Sequence, residues 1–233
     1  MICLAVDTSS KFLCIVLMEN ERILRKFNQD KARAHGQLLI PEIQKILKTQ
    51  KIRLQDLDCL AVNIGPGSFT GLRIGIAAVK GLSLALKIPI ISLSSLDLIA
   101  YNCLKLEKTI CSIIDAKRKQ VYAAIFKNSG TSLKKQKKYF LGPIDDLLVN
   151  LKAAIVFSGD GVGLYKEQIM AHKNINPVFA QEKSWYTDPA VFAKLCYREY
   201  QNKKFKQAKD IVPMYLYPNT CTVRKKQKKS NAK

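Results

Sequence analysis

Three groups of residues could do chemistry: two aspartates at hairpin tips and one glycine-rich loop. Asp7 follows the alternating Ile2, Leu4 and Val6 and opens the turn Asp7-Thr8-Ser9-Ser10-Lys11, before a second apolar run from Phe12 to Met18. Asp115 follows the run Thr109 to Ile114 and opens Asp115-Ala116-Lys117-Arg118-Lys119, before Gln120 to Phe126. One acid in a hairpin turn is ordinary; its recurrence in both halves points to a duplicated architecture. The loop reads Gly65-Pro66-Gly67-Ser68-Phe69-Thr70-Gly71-Leu72-Arg73-Ile74-Gly75 and lies between an apolar strand and a helix, where glycine loops cradle phosphates on helix amides. Two phosphate motifs fail here. No Lys-Ser or Lys-Thr follows a glycine as GxxxxGK[ST] requires, and the glycine spacing is GxGxxxG rather than GxGxxG. Pro66 also removes an amide that a phosphate would use. The other reading is a tight strand-to-helix turn with Ser68 or Thr70 as the helix N-cap.

These residues need elements to hold them. The first hundred residues read as three meander strands (the third from Arg22 to Phe27), a helix from His35 to Lys48, a strand from Leu57 to Ile64, a helix from Gly71 to Leu86 and a strand from Ile88 to Leu93. Pro41 fits the first helix in its first turn or at a kink. In the second half, Ala154 to Ser158 is a strand closing on Gly159-Asp160-Gly161, and Asp188-Pro189 starts a helix as N-cap and first residue, running to about Gln207. Val212 to Tyr217 is expected to return as a final strand. Strands followed by alternating helices and strands give an α/β fold with mixed sheets. The expected division is a first lobe over 1–101, a second over 102–223 and a basic tail over 224–233.

The chain has 233 residues, 48% hydrophobic and 24% charged, which excludes disorder over most of its length. No uncharged apolar run reaches the roughly 18–20 residues of a bilayer span, and the start lacks the basic segment of a signal peptide. Seven cysteines without a CxxC pair fit reduced thiols better than disulfides or a zinc ribbon. A soluble cytoplasmic protein without membrane contact is expected. The net charge is +21, concentrated in the second half: Lys117 to Lys138 carries eight bases and no acid, and Arg224 to Lys233 carries six. Such a field attracts polyanions, although lysine-rich surfaces also arise from composition bias alone. The helix after the glycine loop has small residues, Gly71, Gly75, Ala78, Gly81 and Ala85, at three-to-four spacing. Glycine costs about 1 kcal/mol inside a helix, so close approach of another backbone is implied, either this chain's own or a partner's.

The glycine loop, with Leu4-Ala5-Val6-Asp7-Thr8-Ser9 before it and Ser94-Ser95-Leu96 after it, resembles the TsaB (YeaZ) family. The resemblance extends through His35, Leu39 and Pro41, Asp115 to Tyr122, Gly159-Asp160-Gly161 and Pro213-Met214-Tyr215-Leu216. It implies a two-lobed actin-like (ASKHA) fold. It also implies an accessory, non-catalytic subunit in the formation of threonylcarbamoyladenosine at position 37 of tRNAs reading ANN codons. The implied partners are a catalytic TsaD-type paralogue, a TsaE-type ATPase and, through the complex, tRNA, with the basic tail as a possible RNA contact and a homodimer when the chain is alone. In actin-like ATPases the two acid-tipped hairpins grip phosphate and magnesium. Here Asp7, Thr8, Ser9 and Asp115 stand at those positions without the phosphate-loop glycine. The catalytic paralogues hold a metal with paired histidines, which His35 and the distant His172 do not supply. No cofactor and no metal is therefore expected.

By the same resemblance, His35, Leu39, Ile43, Gly71, Arg73, Gly75 and Ala78 are expected on the partner-binding face, with Gly65, Pro66, Gly67, Ser68, Phe69 and Thr70 as the family loop. Two alternatives stand beside this: a stand-alone enzyme of the same fold (a metallopeptidase or an ATP-dependent transferase), and an RNA-binding module whose basic surface is its function.

Overall fold

The computed structural model describes residues 1–31 and 34–216. Strands β1 (Ile2–Asp7), β2 (Phe12–Glu19) and β3 (Arg22–Asp30) form an antiparallel meander. After helix α1 (His35–Thr49), strand β4 (Cys59–Asn63) pairs parallel with β1. Helix α2 (Phe69–Leu86) then leads to β5 (Ile90–Leu93), parallel to β4, giving the order β3-β2-β1-β4-β5. Helix α3 (Ser95–Tyr101) crosses to the second lobe, where the scheme repeats. Strands β6 (Thr109–Lys117) and β7 (Gln120–Asn128) form the hairpin, and β8 (Leu133–Lys135) and β9 (Phe140–Gly142) pair with β7. Helix α4 (Ile144–Leu148), strand β10 (Ala153–Ser158), helix α5 (Gly161–Met170) and strand β11 (Ile175–Phe179) complete a sheet ordered β11-β10-β6-β7-β8. This is the duplicated, two-lobed actin-like fold.

Burial follows from helices covering both faces of each sheet. Strands β1 and β4 are buried on consecutive residues rather than alternately, as expected for strands sandwiched between layers. On one face of the first sheet, Leu4, Val6, Leu60 and Val62 pack under α1 and α2. On the other, Cys3, Ala5, Val16 and Ala61 pack under helix α6 (Pro189–Gln201) and Leu98 of α3. The remaining apolar side chains of α3, Leu96, Ile99 and Ala100, join Ile110, Ala124 and Phe126 of the second sheet. Helix α3 thus lies between the sheets and contributes to both cores. Helix α2 has the length and mean hydropathy, 1.4, of a bilayer span, but here it lies against β4.

Several expectations are corrected. The helix at 188 belongs by packing to the first lobe, because Phe192, Ala193, Leu195 and Cys196 all face the first sheet. It ends at Gln201, and Lys203 turns into the left-handed region. Ala208 and Ile211 then join the core under α1 and α2. Val212 to Leu216 form no strand: Pro213 lacks an amide, and the segment is tied instead by the Met214 amide donating to Ile64 O at 2.7 Å. Pro41 sits inside α1 beyond its first turn, on an exposed position. Tyr217, Cys221 and the tail 224–233 lie outside the described residues.

Candidate functional site

The first acid-tipped hairpin is held in a closed polar knot. Asp7 is 1% exposed, and its Oδ1 accepts from the Ser9 amide at 2.7 Å. Its Oδ2 accepts from Asn63 Nδ2 at 2.8 Å and from the Thr187 hydroxyl. Asn63, at the end of β4, also donates to Ser9 Oγ, and its Oδ1 accepts from the Gly65 amide and from Ser95 Oγ. Four segments of chain meet here: the first hairpin, the end of β4, the start of α3 and the turn before α6. Asn63 was not singled out from the sequence, although it ends an apolar strand before the glycine loop; Ser95 entered only within the family motif Ser94-Ser95-Leu96, and Thr187 only as the residue before the Asp188-Pro189 helix start.

The glycine loop is built to fit against this hairpin. The Gly65–Pro66 peptide is cis, and Ser68 caps α2 by accepting from the Gly71 amide at 3.2 Å. The Ser68 amide donates to Ser9 O at 2.7 Å, and the Thr8 hydroxyl donates to Gly71 O at 2.7 Å. A β-carbon at Gly67 would press into the Ser9 carbonyl, and one at Gly71 or Gly75 into Thr8. The Gly65, Ser68 and Gly71 amides and the loop glycines are thus used on the protein's own turn, which is the tight-turn reading. Gly65 and Pro66 are buried, whereas Ser68, Phe69 and Thr70 are exposed.

The second hairpin faces the first across a cleft of about 690 Å³. Asp115 Oδ1 accepts from the Lys117 amide at 2.8 Å, and Oδ2 pairs with Lys117 Nζ at 2.5 Å. Asp160, at the start of α5, accepts from the Asp115 amide at 3.0 Å. Burial pushes the Asp160 carboxyl above its usual range. Gly159 before it has φ 110°, and a β-carbon there would strike Ile113 O. Tyr122, Trp185 and Tyr186 line the cleft with Phe69 and Tyr215, and Lys11 Nζ sits 5.1 Å from the Tyr186 ring. Burial raises the Tyr186 hydroxyl above its ordinary pKa. The carboxylates of Asp7 and Asp115 are both engaged by this chain's own donors. No group of three His, Cys, Asp or Glu among the described residues is placed to hold a metal ion. The six described cysteines are unpaired and buried, and burial pushes the Cys111 thiol up to about 12, which removes thiolate reactivity at neutral pH.

The residues expected on a partner face divide. His35, Leu39 and Ile43 are buried at 4%, 1% and 3%, and Leu39 and Ile43 pack into the core of the first sheet rather than outward. Gly71 and Gly75 face Thr8. Ala78 is half-buried and packs with the same core. Arg73 is exposed, its guanidinium 3.7 Å from the Phe69 ring centroid and its Nε 3.3 Å from Tyr215 Oη. The outward side of α2 carries Arg73, Gly81 and Ala85 from the expected set together with Ala77 and Leu84, with Leu84 69% exposed and no atom within 4 Å of a β-carbon at Gly81. Periodicity finds the stripes of a helix but not which one faces the sheet; the contact with Thr8 decides it.

Comparison with known proteins gives consistent matches. The family model described as TsaD, tRNA N6-adenosine threonylcarbamoyltransferase, matches residues 26–225. The tRNA threonylcarbamoyladenosine biosynthesis protein TsaB of Buchnera aphidicola subsp. Schizaphis graminum is 34% identical over 166 residues, 69% of this chain and 79% of that protein. The TsaB protein of Buchnera aphidicola subsp. Baizongia pistaciae is 31% identical over 224 residues, 91% of this chain and 96% of that protein. The solved structure of YeaZ from Pseudomonas aeruginosa matches with a TM-score of 0.81 at 26% identity, covering 92% of this chain and 99% of that one.

Proposed function

The chain belongs to the TsaB (YeaZ) family, and from that premise we propose that it serves threonylcarbamoyladenosine formation on tRNA as a non-catalytic accessory subunit. Its work is to bind and support a TsaD-type paralogue. The observation that carries the non-catalytic part is the knot at Asp7. A carboxylate 1% exposed, held by Ser9, Asn63 and Thr187 and absent from the lining of the cleft, is closed off from a metal-bound phosphate. The partner surface we assign is the outward stripe of α2. Its small side chains let another helix approach closely, and Leu84 and Phe69 add exposed apolar area. The same stripe would serve a homodimer when the paralogue is absent, since an isologous contact needs only a self-complementary surface. A TsaE-type ATPase joins the assembled pair, and the proposed location is the cytoplasm.

Reconstitution tests the reading. The paralogue and the ATPase, with ATP, an activated threonylcarbamoyl donor and a tRNA transcript, should form the modified nucleoside only when this chain is added, and the chain alone should turn over no ATP. Modification at an equal rate without it, or steady hydrolysis by the chain alone that Asp7→Asn abolishes in a folded protein, overturns the proposal. Ala77→Glu places a charge on the outward stripe and should weaken association with the paralogue by at least about tenfold, or 1.4 kcal/mol, while leaving the monomer's circular dichroism unchanged.

A further inference from the structure

The second lobe ends at its outer edge in the ribbon of β7 and β8, and this edge carries lysines that no ion pair among the described residues engages. The register places Lys127 directly opposite Lys134. Directly opposed like charges disfavour a pair of strands. Both lysines are exposed, as are Lys135, Lys137 and Lys138. No ion pair among the described residues involves any of these five. Of the acids on α4, Asp145 is occupied by Gln168 Nε2 at 2.6 Å, and Asp146, which lines a pocket with Lys137 and Lys138, is in ion-pair contact with neither. The edge is also ordered. The Gln136 amide donates to Ile125 O at 2.9 Å, extending the pairing past β8. Lys135 Nζ lies 3.6 Å from the Tyr139 ring centroid, and that ring's hydroxyl is bonded to the Asp97 carboxylate at 3.0 Å.

We propose that this lysine edge, Lys127 with Lys134 to Lys138, is a docking surface for the phosphate backbone of a structured RNA. The inference rests on the tRNA function proposed above and names a second contact for it. Charge complementarity selects the occupant. The edge offers lysine point charges and no arginine fork, which suits backbone contacts that position an RNA rather than base contacts that read it. A membrane surface fits less well, because lysines alone hold anionic headgroups only weakly without an apolar face to insert, and the one apolar residue between Thr131 and Lys138, Leu133, is half-buried. Lysine on an edge strand also deters aggregation, which one or two residues accomplish; five lysines and no acid between Lys127 and Lys138 exceed that need.

The test uses the full-length chain and its Lys127→Gln, Lys134→Gln, Lys138→Gln variant, with an unmodified tRNA transcript as the probe. Affinity is measured from about 50 to 200 mM salt. All three side chains are exposed and free of ion pairs, so the thermal midpoint should hold. Affinity at the lowest salt should fall at least about tenfold, and the slope of log affinity against log salt should flatten by roughly 2–3, since each lost phosphate contact removes about 0.9. An unchanged slope overturns the proposal, as does intact tRNA binding with lost sedimentation on phosphatidylserine vesicles. Capture of the paralogue by the same variant is measured in parallel. Capture with an unchanged RNA slope removes this surface and leaves the family function standing. A flattened slope without capture of the paralogue by either protein removes the scaffold function and leaves the RNA surface.

Discussion

At the scale of single residues, both hairpin acids are held by this chain's own donors. Asp7→Asn sets an amide N–H against donors that now meet a carboxylate, either Asn63 and Thr187 or the Ser9 amide. It should cost about 1–3 kcal/mol of stability, read from denaturant unfolding, while modification in the reconstituted complex persists at temperatures where the variant is folded. Asp160 behaves differently. Burial raises its pKa, so the folded state holds its proton more tightly than the unfolded state, and stability falls as pH rises from the ordinary aspartate value of about 3.9 towards the raised one. Asp160→Asn keeps an acceptor for the Asp115 amide and removes the buried charge. Its melting temperature should exceed the parent's at pH 7, and the difference should vanish in scans below the ordinary aspartate pKa. Asp7 and Asp115 could be picked out by their recurrence at hairpin tips. The distant partners of Asp7 could not, because Asn63 and Thr187 meet it across 56 and 180 residues of chain, and sequence spacing carries no trace of such contacts.

At the scale of elements, α2 shows how far periodicity reaches. The helix and its small-residue stripes were legible from glycine and alanine spacing, and so were the hairpins, β4 and the Asp188-Pro189 helix start. The direction of the stripes was not, and one end of the glycine series faces inward while the other faces out. Gly75→Ala should therefore unfold or strongly destabilise the chain, since its β-carbon meets the Thr8 side chain. Gly81→Ala should add about 0.5–1 kcal/mol, because open space surrounds the new methyl and the unfolded chain loses freedom. Thermal melts of both variants check the pair, and a stabilised Gly75→Ala would reverse the assigned orientation. Short elements such as α4, β8 and β9 were missed for another reason: five residues or fewer hold too little pattern to separate from a loop.

At the scale of the whole molecule, the two lobes are not consecutive in sequence. The first is built from residues before Ser95 and closed by α6 and Ile211, with the second lobe inserted between. The expected boundary at 101 missed this because a helix's amphipathic stripe does not say which sheet it will cover. Phe192, fully buried against the first sheet, tests the assignment: Phe192→Ala should cost about 3–5 kcal/mol. Hydrogen exchange should show the lost protection in β1, β2 and β4 rather than in β6 and β10. This order of assembly has a consequence in time. Strands β1 to β5 leave the ribosome with the apolar face around Val16 and Ala61 bare, and the helix that covers it is made more than a hundred residues later. At roughly 5–20 residues per second, that wait is about 5–20 s. For that interval the nascent chain presents a half-clothed sheet to everything around it, so slow codons between Ser95 and Pro189 should aggravate aggregation of newly made protein.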